Sequence, residues 1–284
     1  MKKITFLFLT TLPLFIGCNS SFIQLYQTKT NKLKHTENKY WLFDNDTVSI
    51  AYDFWSDGGV MYFMLTNKSE QPIYVDWKKS SLIVNAVKLD YWNDKEVTQS
   101  SSFSIYKSYQ YEGVPLLRML SQSTSGGGTN TVATVTKEER ITFVPPHSSI
   151  FNSSFILMPD YEYKLQKNRI RTVDTIETYK VIVNLGYQRV EETRERTSRF
   201  YEVSFDSNSS FFNFRNYITY SFDEKFSDER RIDNAFYISK VTEMDEEQFK
   251  QEKYRGIPSE GYDFPYTSPD CFWIKVLPKN AVEK

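Results

Sequence analysis

The sequence predicts a mainly β protein, with antiparallel sheets packed face to face as a β-sandwich, one long insertion and one short surface helix near the C-terminus. Three observations carry this. Short runs alternate apolar and polar residues at the two-residue period of a half-buried strand. Clusters of Gly, Asn, Asp, Ser and Pro separate those runs. Aromatic residues make up 17% of the chain, and such side chains favour strands and fill sandwich cores.

Taken in order from Trp41, the first alternation is Val48, Ile50, Tyr52 and Phe54 against Ser49, Ala51, Asp53 and Trp55. Ser56-Asp57-Gly58-Gly59 supplies a turn that tolerates positive φ, and Val60 to Leu65 continues as a buried strand. Asn67 to Pro72 turns the chain into Ile73-Tyr74-Val75-Asp76-Trp77, and Leu82 to Val87 reads as one further strand. Later strands are expected at Tyr179–Leu185, Tyr201–Asp206, Phe211–Phe222, Phe236–Val241 and Cys271–Leu277. Thr242 reads as the cap of a helix whose acidic first turn holds Glu243, Asp245 and Glu246, with Met244 and Phe249 as anchors and Gly256 with Pro258 as its stop. The insertion runs from about Asp94 to Arg140 and contains a low-complexity loop, Ser121 to Thr136. A short helix is expected within it near Leu116–Leu120. Val144-Pro145-Pro146-His147-Ser148 then stiffens the approach to a late strand.

The N-terminus carries an address. Lys2 and Lys3 precede an apolar run from Ile4 to Ile16, and a membrane helix needs roughly 20 apolar residues, so the run is a cleavable leader. It ends in Leu14-Phe15-Ile16-Gly17-Cys18, which resembles the lipobox of bacterial lipoproteins. The resemblance implies cleavage after Gly17 and lipid on Cys18, anchoring the chain to a membrane without a protein span. Asn19 follows the cysteine and no acidic cluster comes after it, which points to the outer membrane with the protein facing the periplasm. Domain boundaries follow: residues 1–17 as leader, 18–40 as a polar lipidated tether, and 41–284 as the sandwich, with a division near 160 as the alternative.

A second resemblance lies in Asn67-Lys68-Ser69 and the run from Pro72 to Asn85, together with Ile141-Thr142-Phe143-Val144-Pro145-Pro146-His147-Ser148. These segments look like uncharacterised lipoproteins of Bacteroidota type built on an Ig-like sandwich. The resemblance covers roughly residues 45–155. It implies a fold and carries no catalytic residue.

Chemistry is sparse. The net charge of −1 falls to −3 when Lys2 and Lys3 leave, with both signs scattered, so no nucleic-acid partner is expected. There are two histidines: His35 in the tether and His147 after a proline pair, which leaves a His-based metal site or a Ser-His-Asp triad little to work with. Cys271 lies in a predicted strand and is expected to be a buried, inert thiol with no disulfide. Asp44, Asp46, Asp53 and Asp57 stand near turns and are expected to be solvated. Asp44-Asn45-Asp46 lacks the ligand spacing of a calcium loop. Trp92, at a predicted strand end, is the best candidate for an exposed aromatic that stacks a ligand. Together these features suggest a non-enzymatic binding or assembly module of the cell envelope. Its expected partners are a membrane, through Cys18, and another envelope protein, and it needs no cofactor. A carbohydrate-binding module and a carboxylate-dependent glycan hydrolase are the alternatives.

Overall fold

The computed structural model describes residues 21–92, 139–158, 162–166, 168–185, 188–254 and 261–276. The strands are β1 (Phe22–Lys29), β2 (Lys34–His35), β3 (Trp41–Asp44), β4 (Val48–Asp53), β5 (Tyr62–Asn67), β6 (Ile73–Asp76), β7 (Ser81–Val84) and β8 (Val87–Asp90). They continue as β9 (Ile141–Val144), β10 (Ser149–Asn152), β11 (Arg171–Leu185), β12 (Gln188–Ser204), β13 (Asn213–Ser221), β14 (Arg230–Asp245), β15 (Gln251–Glu252), β16 (Tyr262–Asp263) and β17 (Cys271–Val276). A single turn of helix, α1 (Glu246–Phe249), follows β14.

Two antiparallel sheets form the sandwich. The larger runs β11-β12-β14-β13-β6-β9, with β1 lying between β14 and β17 and with β7 joining β13 to β8. The smaller runs β10-β5-β4-β3-β2. Strands from both sides of residue 160 share the larger sheet, since β13 pairs with β6 and β7.

The predicted alternation explains the core. Val48, Ile50 and Tyr52 of β4 point inward with no exposed surface, as do Phe63 and Leu65 of β5. They meet Ile73, Val75, Ile218, Ile232, Phe236 and Ile238 from the opposite sheet in one cluster. Aromatic rings knit the two layers: Tyr52 meets Phe236 edge-on at 4.9 Å, and Phe54 meets Phe214 edge-on at 5.4 Å. The hydroxyl of Tyr52 accepts hydrogen bonds from Asn216 Nδ2 at 3.1 Å and Asn234 Nδ2 at 2.6 Å, so these buried amides are satisfied inside the sandwich.

Several expectations are corrected. The supposed tether contains β1, which is paired on both edges, with Ile23 and Tyr26 in the core. Its polarity misleads because Gln24 is only 2% exposed yet fully bonded. Its Nε2 donates to the Tyr163 carbonyl and to Glu243, and its Oε1 accepts from the Tyr26 hydroxyl and the Tyr163 N–H. The expected strand Leu82–Val87 is a hairpin instead. Asn85 and Ala86 both take positive φ, at 45° and 69°, and turn β7 into β8. The predicted helix is also far shorter. Thr242, Glu243 and Met244 belong to β14, and the helix begins after Asp245, whose N–H donates to Gln248 Oε1 at 3.0 Å. Met244 and Phe249 are buried anchors as expected. The Ser121–Thr136 loop and the helix expected near Leu116–Leu120 lie outside the described residues.

Candidate functional site

Two features stand out from the packed sandwich: an aromatic groove and a projecting ribbon. The groove, about 420 Å³, opens where β9, at the edge of the larger sheet, faces β10, at the edge of the smaller one. Trp77, Tyr91 and Trp92 line it with Phe151, and Thr142, Ser149, Asn152 and Ser154 add short polar side chains. The Trp77 indole N–H donates to Thr142 Oγ1 at 2.7 Å, which fixes that ring against β9. Tyr91 is buried and donates its hydroxyl to Asn216 at 2.9 Å. Burial pushes its phenol well above the ordinary range. Trp92, the sequence candidate, is half-buried, and Lys78 Nζ stands 5.4 Å from its ring centroid. Phe151 is 49% exposed and lies parallel to Tyr62 at 6.1 Å. Arg140 closes the end of the insertion by donating to the fully buried Asp76 at 2.7 and 3.1 Å.

The ribbon is the hairpin of β11 and β12, paired without a register break from Arg171–Glu202 to Leu185–Gln188. Only Tyr201 to Ser204 of β12 pair with β14, so most of the hairpin runs past the sheet. Fifteen paired residues span about 50 Å at the rise of a strand. Its base rests on a small second core of Ile23, Phe200, Met244 and Phe249, flanked by Val173 and Tyr266. There Glu177 accepts from the Tyr266 hydroxyl at 2.6 Å, from Arg196 at 3.3 Å and from the Ser198 hydroxyl. Nearer the base Arg199 pairs with Asp174 at 2.9 Å, and toward the tip Lys180 pairs with Glu191 at 2.9 Å. An isolated two-stranded hairpin is marginal in water, so these ladders and the basal core are what hold it. Sequence reasoning missed most of the ribbon because Glu191-Glu192-Thr193-Arg194-Glu195-Arg196 carries no apolar face to signal a strand.

The remaining candidates resolve individually. Asp44 bonds Lys68 at 2.7 Å, and Asn45 Oδ1 accepts the Thr47 and Val48 N–H groups, a closed turn. Among the described residues no group of three His, Cys, Asp or Glu is placed to hold a metal ion. Asp53 is not solvated as expected. It is 7% exposed, accepts from the Trp55 N–H at 3.0 Å, and burial pushes its carboxyl up to about 6. It does not line the groove, where Glu139 is the only carboxylate among the described residues. His147 is exposed as expected and pairs with Glu70 at 3.1 Å. His35 is not on a free tether: its Nε2 stands 3.1 Å from the buried Asp270, and its ring lies 4.4 Å from Trp41. Cys271 is a free, buried thiol, and burial with the neighbouring Asp270 carboxylate pushes its pKa up, so it is poorly suited to act as a nucleophile. Cys18 lies outside the described residues. Comparison with known proteins finds no match to this chain among family models, curated proteins or solved structures.

Proposed function

We propose that this chain is a lipid-anchored assembly module of the cell envelope, a non-enzymatic Ig-like sandwich whose β11–β12 ribbon docks a partner protein. The observation that carries the reading is the ribbon itself. It reaches well past the sheet, it adds little to the main core, and Ile176 on it is 68% exposed. A long exposed hairpin with a bare apolar residue is costly to keep ordered alone, and strand edges of this kind are used to dock proteins. The lipobox-like Leu14-Phe15-Ile16-Gly17-Cys18 supports a lipid anchor, and the outer membrane facing the periplasm is the proposed site.

Two variants test this. Cys18→Ala is expected to move the protein out of the membrane fraction or leave its leader uncut. Replacing residues 175–198 by Asn-Gly, a two-residue turn suited to hairpins, keeps the packing of Val173 and Phe200. The circular dichroism spectrum should stay β-dominated while cross-linked partner complexes in the envelope disappear. Unchanged complexes from the shortened chain would refute a docking role for the ribbon.

The groove favours a second reading, a carbohydrate-binding module. Ring faces beside hydroxyl and amide groups suit the apolar and polar sides of a sugar. In that case Trp92→Ala should abolish retardation of the protein in gels cast with soluble glycans, and an unretarded wild type would remove this reading.

A further inference from the structure

The outer edge of β11 is the most exposed backbone edge of the ribbon: among the described residues β11 pairs with β12 alone. Proteins usually blunt such an edge with proline, a bulge or repelling charges. β11, Arg-Thr-Val-Asp-Thr-Ile-Glu-Thr-Tyr-Lys-Val-Ile-Val-Asn-Leu, has no proline and no glycine, and its pairing with β12 has no bulge. It is rich in the β-branched residues that suit a strand. Its charges, moreover, are arranged so that the strand complements itself.

We propose that a second copy of this chain docks on this edge, β11 against β11 antiparallel, about a two-fold axis at Ile176. The inference rests on the assembly reading above and names its partner. With the axis at Ile176, that residue meets its own copy. Asp174 then stands opposite Thr178 and diagonal to Lys180 of the other copy, and the same contact recurs across the axis. Both charged side chains are accessible, at 48% for Asp174 and 52% for Lys180. On the opposite face Val173 meets Tyr179 and Thr175 meets Glu177, so no like charges stand directly opposite. Glu177 is diagonal to its own copy, but its carboxylate is only 10% exposed and is already bonded to Arg196, Ser198 and Tyr266 of its own chain. Shifting the axis to Glu177 keeps the faces aligned but sets two carboxylates directly opposite, which is destabilising. An axis at Asp174 or Lys180 likewise sets a charge against itself. Ile176 is also the most exposed large apolar side chain described, and the pairing covers it. Two identical patches related by a two-fold form a closed interface, so the assembly stops at a dimer.

The test uses the full chain extracted in mild detergent. Wild type is expected to sediment as a dimer. Ile176→Asp, which sets two carboxylates at the axis, should weaken the dimer at least tenfold with an unchanged circular dichroism spectrum. Side chains directly opposite in antiparallel strands have Cβ atoms about 4.5–5.5 Å apart, close enough for a disulfide after a small adjustment. Mild oxidation of Ile176→Cys should therefore yield a covalent dimer, whereas Val87→Cys, equally exposed but off the ribbon, should not. A monomeric wild type with no disulfide from Ile176→Cys overturns the inference. If the shortened ribbon still loses its envelope complexes in that case, the assembly reading stands and the partner is a different protein. A shortened chain that remains dimeric overturns the inference, and one that also keeps its envelope complexes overturns both.

Discussion

A chain that begins after Lys29 is expected not to fold. β1 pairs with β14 from Phe22 to Lys29 and with β17 from Phe22 to Gln27, so it is an interior strand of the larger sheet. Ile23 and Tyr26 are 1% and 0% exposed, and Tyr26 stacks on Phe272 at 5.0 Å with the rings 5° from parallel. Losing those two side chains removes about 3–6 kcal/mol of apolar burial, against a typical domain stability of about 5–15 kcal/mol. Removing the strand also strips partners from the edges of β14 and β17 and from the Tyr163 N–H, which bonds Gln24. The truncated chain should bind a hydrophobic dye and lack a cooperative urea transition. A sharp transition at the full-length midpoint would restore the tether reading of these residues.

Phe272→Ala is expected to lower stability by about 3–5 kcal/mol, the usual range for deleting a fully buried ring. Phe272 has no exposed surface and sits between Tyr26 and Gly59. Gly59 has φ of +72°, and a Cβ placed there would stand 2.7 Å from Phe272 Cγ. The turn Ser56-Asp57-Gly58-Gly59 therefore serves the packing as well as the change in direction. The ring fills the space that a side chain at Gly59 would need, and the backbone conformation there disfavours any L side chain. Few neighbours can collapse into the resulting cavity, because backbone rather than flexible side chain walls it on that side. Urea denaturation reads the loss directly, and a change under about 1 kcal/mol would mean that the ring is not packed as described.

How far the sequence could be read depended on whether a strand had one face in the core. β4 did, and its alternation marked it, while β6 and β17 stand out as short apolar runs between turns. β1 hid because its buried positions include Gln24 and Thr28, polar groups whose bonds are all made inside the protein. The ribbon hid for the opposite reason. Arg189 to Arg199 is mostly exposed, so no apolar period survives to show a strand. The sequence suggests a longer helix because Glu243 and Asp245 look like an acidic first turn, although they are the end of a strand that extends as far as β1 does. At the candidate site, Trp92 was legible as an aromatic at a strand end. The groove around it was not, because β9 and β10 lie beyond the insertion and only the sheet order brings them to Trp77 and Tyr91. The burial of Asp53 was equally invisible, since a carboxylate beside a turn gives no hint of what covers it.

Site-specific photo-cross-linking in living cells tests the docking role of the ribbon most directly. A benzophenone amino acid would replace Ile176, 68% exposed on the ribbon, or Val87, 62% exposed at the start of β8. Irradiation should give a discrete heavier adduct from position 176 and none from position 87. No adduct from 176, or the same adduct from both positions, would contradict it.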